Sequence, residues 1–260
     1  MFKTNGSTHH EGIANEHHCI ALLNDRNYFD CPVTHLGGTK HKADAMAGSI
    51  PISIKRKKGL ANGSFDWVNT SSINGIVNRG LFASFLSTCS DFRSSDLGNG
   101  SSSNSEIIAE CRDWFNKCCE AALATITSEQ ITQFLATHVN AANQGFKIVV
   151  ADTLDDTLYI IDHERTPLAR LLKQQYKAVL VEGRGKSSRK IIFIAPGKGI
   201  NDIGSGVDIG LRVRVTSNNG IKAFLGLSKA NKNSQIVIKI QQDKVQQFVT
   251  DSSPAIVFAD

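Results

Sequence analysis

No stretch of the chain approaches the roughly 18 consecutive apolar residues that a membrane span requires, and the N-terminus, MFKTNGSTHHEG, lacks the apolar centre of a signal peptide. These absences predict a soluble, cytoplasmic protein with no membrane partner. The six cysteines (Cys19, Cys31, Cys89, Cys111, Cys118 and Cys119) include no C-x-x-C pair. In a chain of this size without an export signal they are expected to stay reduced rather than form a disulfide framework. His9, His10, His17 and His18 cluster, but no two accompany a cysteine pair at zinc-finger spacing, which argues against a structural zinc. Gly183-Arg184-Gly185-Lys186 and Gly197-Lys198-Gly199 lack the spacing of a Walker A loop or a dinucleotide fingerprint. They read instead as turns whose lysines contact phosphate. No internal repeat is present.

The composition that remains is that of a folded protein: 260 residues, 41% hydrophobic and 20% charged, enough to bury a real core and to exclude disorder as the whole account. The formal net charge of +5 is unevenly spread. From Glu182 to Lys244 there are twelve basic residues against four acids, a local excess of +8. Such a segment suits a polyanion.

Apolar spacing predicts a first helix from about Gly12 to Asn24, with Glu16 in its early turns, followed by a loop through Cys31-Pro32 and Gly37-Gly38. Two short strands are expected at Lys42–Ala47 and Ile50–Arg56, joined by Gly48-Ser49, which has hairpin turn chemistry. Gly59–Ser72 reads as loop, and Asn69-Thr70-Ser71-Ser72 as an N-cap cluster for a helix through Leu86. Ser94–Ser105 is low-complexity and predicted to be a disordered loop. Helices are expected at Ser105–Thr125, Ser128–Asn143 and near Pro167–Gln175. Strands are expected at Phe146–Ala151, Leu158–Asp162, Tyr176–Val181, Lys190–Ala195, Val207–Thr216, Ile221–Leu225 and Gln235–Gln241. The texture becomes β-rich after Gly145.

The chemistry concentrates in Gly37-Gly38-Thr39-Lys40-His41-Lys42-Ala43-Asp44 and Ile50-Pro51-Ile52-Ser53-Ile54-Lys55. In the second strand Ile50, Ile52 and Ile54 face one way, while Ser53 and Lys55 share the other face. Residues on one face of paired strands lie about 5 Å apart, so an aspartate ending one strand can meet Lys55 across the hairpin. A carboxylate offers the hard oxygen that Mg²⁺ prefers, and an ammonium group can orient water and stabilise charge on a phosphorane-like transition state. The pair must share one sheet face for this to hold.

This arrangement resembles the PD-(D/E)XK nuclease superfamily and, within it, the Type II restriction endonucleases. Asp44 matches the motif aspartate, Ser53 the second acidic position, Lys55 the motif lysine and Glu16 the glutamate that many members carry on the preceding helix. Ala43 stands where the motif has proline, and Ser53 where it has a second acid, for which Glu16 and Asp66 are the candidate replacements. The resemblance covers residues 12 to 70. It implies an α/β (α+β), restriction-endonuclease-like fold with a mixed central sheet flanked by helices. It also implies a single nuclease domain over residues 1–260, with a catalytic core at about 12–145 and a β-rich DNA-recognition part at about 146–260. The implied activity is Mg²⁺-dependent, sequence-specific cleavage of double-stranded DNA to 5′-phosphate ends, with Mn²⁺ as a substitute metal and a homodimer as a common assembly. Asp44, Glu16 and Asp66 would serve the metal.

Arg56, Lys57 and Lys58 follow the motif lysine and are placed to touch flanking phosphates. Trp67 and Phe65 read as core residues. Arg212 and Arg214 share one strand face. Tipped by Ser217-Asn218-Asn219-Gly220 and continued by Lys222, they suggest a two-strand ribbon of major-groove dimensions. Lys229 and Lys232 lie in a second polar-basic loop. Two other readings remain open: a structure-specific, homing or repair nuclease of the same fold, and a non-catalytic DNA-binding protein.

Overall fold

The computed structural model describes residues 6–36, 43–57, 66–69, 104–142, 147–152, 157–162, 165–216 and 235–252. They contribute five α-helices and ten strands, which divide between two compact units. The architecture is mixed α/β with two five-stranded sheets instead of one central sheet.

The first unit comprises Met1–Phe65, Leu135–Gln175 and Ile240–Asp260. It opens with α1 (Gly6–Asp25), longer than its apolar spacing predicts. Asn15, Cys19, Ile20 and Leu23 are its buried side. The helix ends at Asn27, which takes a left-handed φ of 49° while its N–H donates to Asn24 O (3.0 Å) and that of Tyr28 to Leu23 O (3.1 Å). This pair of bonds is a Schellman stop, with asparagine in the position glycine usually holds. The Asn24 side chain then grips the next strand at both backbone atoms of Val33, donating to its O (3.0 Å) and accepting from its N–H (2.7 Å).

That strand is β1 (Val33–His35), a stretch whose sequence reads as loop. β2 (Ala45–Ala47) and β3 (Ile50–Lys57) follow as the expected hairpin. Gly48 turns it with φ 58°, the value that suits glycine at the first central position of a two-residue loop. The sheet is completed from beyond residue 145 by β5 (Lys147–Asp152) and β6 (Thr157–Asp162), in the order β1-β2-β3-β5-β6. Pairing is antiparallel throughout except between β3 and β5, which run parallel. The sheet is therefore mixed. β5 is buried on both faces at Ile148, Val149, Val150 and Ala151, as a strand with two parallel or covered neighbours requires. The face bearing Ala45, Ala47, Ile52, Ile54, Val149 and Ala151 packs on Cys19, Ile20 and Leu23 of α1. α4 (Pro167–Lys173) begins at the buried N-cap Thr166, whose Oγ1 accepts from the Ala169 N–H. α5 (Val245–Ser252), which the sequence reading does not include, adds buried Phe248 and Val249.

The second unit comprises Asp66–Phe134 and Tyr176–Lys239. Its sheet has the order β4-β10-β9-β8-β7, from β4 (Asp66–Asn69), β7 (Lys177–Glu182), β8 (Ser188–Ile194), β9 (Leu211–Thr216) and β10 (Gln235–Ile240). β4 replaces part of an expected loop, and β9 starts later than expected because Gly210, at φ 82°, breaks the strand behind Val207. Val207 instead makes a single bridge to Phe193. α2 (Asn104–Ala124) buries Cys119 and Leu123. α3 (Ser128–Ala142), of which residues 128–134 fall in this unit and 135–142 in the first, starts from a capping box in which Gln130 N–H donates to Thr127 Oγ1 (3.1 Å) and Thr127 N–H to Gln130 Oε1 (2.9 Å). The expected helix ending at Leu86 and the low-complexity residues 94–103 lie outside the described residues. Cys19, Cys31 and Cys119 are free thiols, and no described helix is long and apolar enough to cross a membrane.

Candidate active site

The β2–β3 hairpin brings the motif residues together through one backbone circumstance. The ladder runs from Ala47 opposite Ile50 to Ala45 opposite Ile52, and the Asp44 N–H extends it by donating to Ile52 O (2.9 Å). The Asp44 carbonyl, however, turns to β1 and accepts from Leu36 N–H (3.1 Å). Further along β3, the Ile54 N–H donates to the Asp44 carboxylate, reaching Oδ2 at 2.7 Å. The same oxygen accepts from Ser53 Oγ at 3.2 Å and lies 3.8 Å from Lys55 Nζ. Asp44, Ser53 and Lys55 therefore meet on one face of the sheet, the face opposite Ile52 and Ile54. The Asp44 and Lys55 side chains are each 27% exposed, open enough for a substrate phosphate and sheltered enough for charge to matter. Oδ1 of Asp44 accepts no hydrogen bond from a described residue.

Glu16 is engaged elsewhere. Its Oε2 lies 2.7 Å from His35 Nε2, so the carboxylate ties α1 to β1, whose His35 stands opposite Ala45 in register. The His17 ring lies 4.5 Å from that of His35. Arg56, expected at a flanking phosphate beside Lys55, alternates onto the α1 face, and its Nη1 donates to Glu11 Oε2 at 2.9 Å. Lys57 closes β3, with its side chain outside the described residues, as is Lys58. Asp66 lies on β4 in the second sheet, and its side chain is likewise outside the described residues.

Arg212 and Arg214 do share a strand face, but their strand is not half of a free ribbon. β9 is the middle strand of its sheet, between β8 and β10. The reason is that Leu211 and Val213, both fully buried, need a covered sheet face that a two-strand ribbon cannot provide. Asn218, Asn219, Lys222, Lys229 and Lys232 lie outside the described residues.

Two titratable groups escape the sequence reading. His35 is one, because β1 has three residues and too short a pattern to show as a strand. The other is Asp152, which ends β5 one residue beyond the predicted strand, opposite Lys57 in register and on the sheet face of Lys55, yet only 5% exposed. Its burial was not legible before the β3–β5 pairing was known.

Among the described residues no three His, Cys, Asp or Glu side chains gather to hold a metal ion. The site offers one carboxylate, Asp44, whose Oδ1 accepts no hydrogen bond from a described residue. That set fits Mg²⁺, which keeps several waters and takes one or two carboxylates plus substrate phosphate, and does not fit an all-protein zinc cage. No protein-family model, curated protein or solved structure matches the chain.

Proposed function

We propose that the protein is a Mg²⁺-dependent endonuclease of restriction type that hydrolyses phosphodiester bonds of double-stranded DNA to 5′-phosphate ends. The observation that carries this reading is the convergence of Asp44, Ser53 and Lys55 at one carboxylate oxygen, on the face and in the order that the resemblance implies. A mixed sheet with an antiparallel hairpin beside a parallel pair supports it.

Asp44 would hold the metal through Oδ1, with Mn²⁺ able to substitute. When bound, the ion offsets charge on the phosphate oxygens. Lys55, held near Asp44, donates hydrogen bonds to the attacking water and to a non-bridging oxygen as negative charge grows there. Water attacks phosphorus in line, the 3′ oxygen leaves, and the phosphate stays on the 5′ side. Ser53 keeps the carboxylate turned toward Lys55 by donating to it. Glu16 acts at a distance, by fixing α1 to β1 and so the strand that receives the Asp44 carbonyl. Supercoiled plasmid incubated with purified protein and Mg²⁺ should give discrete bands, abolished by EDTA and absent for Lys55→Ala. Cutting by Lys55→Ala at the wild-type rate would overturn the proposal.

A second reading has its own observation. The bond from Ile54 N–H to Asp44 is a structural role sufficient to retain the aspartate, and Ser53 stands where a second acid would complete the site. On this reading the protein binds DNA without cutting it. Salt-sensitive duplex binding with no cleavage under Mg²⁺, Mn²⁺ or Co²⁺ would favour it.

A further inference from the structure

The sheet of the second unit has one end where positive charge is stacked against positive charge. Register places Lys190 of β8 directly opposite Arg212 of β9, and Ser188 opposite Arg214. Directly opposed side chains on one face stand about 5 Å apart, and like charges there destabilise the pairing. β7 adds Val181 beside Lys190 on this face, not an acid. Glu182 and Arg189 alternate onto the other face, where Arg189 approaches Glu120 of α2 at 3.8 Å.

The β7–β8 turn, at the same end, contributes two more cations, Arg184 and Lys186, both exposed. This turn is stiff. Ser188 N–H donates to Gly185 O (3.0 Å), as does Ser188 Oγ (3.2 Å), and a Cβ at Gly183 would sit 2.6 Å from Ser188 O. The acid that feels Lys186 is already committed: Asp113 lies 3.0 Å from Lys117, which chiefly holds its carboxyl below the ordinary range, with Lys186 a smaller contributor. Arg184, Lys186, Lys190 and Arg214 form no ion pair with a described acid. Arg184, Lys186, Lys190 and Arg214 thus stand at one end of the sheet as cations that a neighbouring polyanion would pair.

We propose that Arg184, Lys186, Lys190 and Arg214 form a docking face for the phosphate backbone of duplex DNA, carried by the second unit and working without metal. The proposal rests on reading the protein as one that acts on DNA, and it identifies the part of the chain that holds the duplex. Two strands and a turn spaced at about 5 Å provide a broad, regular array of charge rather than a single pocket, which matches a repeating backbone better than a lone phosphate.

The test is duplex binding, followed by fluorescence anisotropy with a labelled DNA in EDTA, using the full chain carrying Lys55→Ala so that no cleavage intervenes. The triple variant Arg184→Gln/Lys186→Gln/Arg214→Gln should bind about tenfold or more weakly. Its plot of log affinity against log salt should be shallower by roughly 2 to 3, about 0.9 for each lost phosphate contact. Arg184→Lys/Arg214→Lys should bind like the parent, and so should Lys173→Gln, at the exposed end of α4 in the first unit. Parent-like affinity and slope in the triple variant, an equal loss in Lys173→Gln, or tighter binding to duplex RNA or to phosphatidylserine vesicles would each overturn the proposal. Binding that behaves as expected while the wild type never cuts plasmid would refute the nuclease reading alone. Cutting that survives the triple variant with unchanged affinity would refute the docking face alone.

Discussion

Asp44 carries two loads, and substitutions can separate them. Replacing it with alanine removes the acceptor of Ile54 N–H, a hydrogen bond to a charged group of the kind worth about 1.5–3 kcal/mol. Because the side chain is 27% exposed, water can partly re-satisfy that amide, which reduces the expected loss to about 1–2 kcal/mol. The Lys55 pair, at 3.8 Å and equally exposed, adds under about 1 kcal/mol. For a chain of this size each kcal/mol moves the melting midpoint by about 2–4 °C, so Asp44→Ala, losing about 1–3 kcal/mol in all, should melt roughly 2–12 °C lower. Asp44→Asn keeps an amide oxygen for Ile54 and Ser53, loses the charge, and should cost at most about 1 kcal/mol. Both variants should lose Mg²⁺-dependent plasmid cleavage by about 100-fold or more, since neither retains an anionic metal ligand. Circular dichroism melts and plasmid nicking, run on the same preparations, read the two effects independently. An asparagine variant that cuts like the wild type would remove Asp44 from the chemistry. An alanine variant that melts like the wild type would refute its role as the acceptor at the β3 edge.

Asn24→Ala leaves both backbone atoms of Val33 without their partner and should destabilise the protein by about 1–3 kcal/mol, visible as a lower urea midpoint; Asn24→Asp, which keeps an acceptor for Val33 N–H but not a donor for its carbonyl, should fall between. Burial pushes the Cys19 thiol up to about 12 from an unfolded value of 9.0. A raised folded value means that the stabilisation is complete below pH 9 and is lost as pH climbs toward 12, so alkaline unfolding between these limits should be shallower in Cys19→Ala. In the native protein at pH 8, iodoacetamide should label half-exposed Cys31 while Cys19 stays unmodified, as peptide mass mapping would show.

Local signals carried some elements and not others. Gly48-Ser49 between alternating strands, Thr166 ahead of Pro167 and Thr127 three residues before Gln130 are short-range chemistry, and the hairpin and the helix starts appear where those residues stand. β1, β4 and α5 have three, four and eight residues, too few periods for an apolar pattern to separate them from loop. The extra residues at the start of α1 lie in a polar run supported by contacts such as that of Glu11 with Arg56, a partner 45 residues away.

The same division holds at the candidate site. Residue type, alternation and turn chemistry alone determined that Ser53 and Lys55 share a strand face and that an aspartate stands across a tight hairpin from them, because these depend on the period-two geometry of one short segment. Tertiary structure alone decided that the Asp44 carboxylate accepts from the Ile54 N–H, that Glu16 turns to His35, that Arg56 turns to α1 and that Asp152 is buried on the face of Lys55. It also decided that β9 is a central strand whose arginines stand opposite the start of β8. Each of these depends on which distant strand or helix lies alongside, and strand order and register arise from the burial of whole sheet faces, which no local window of residues contains.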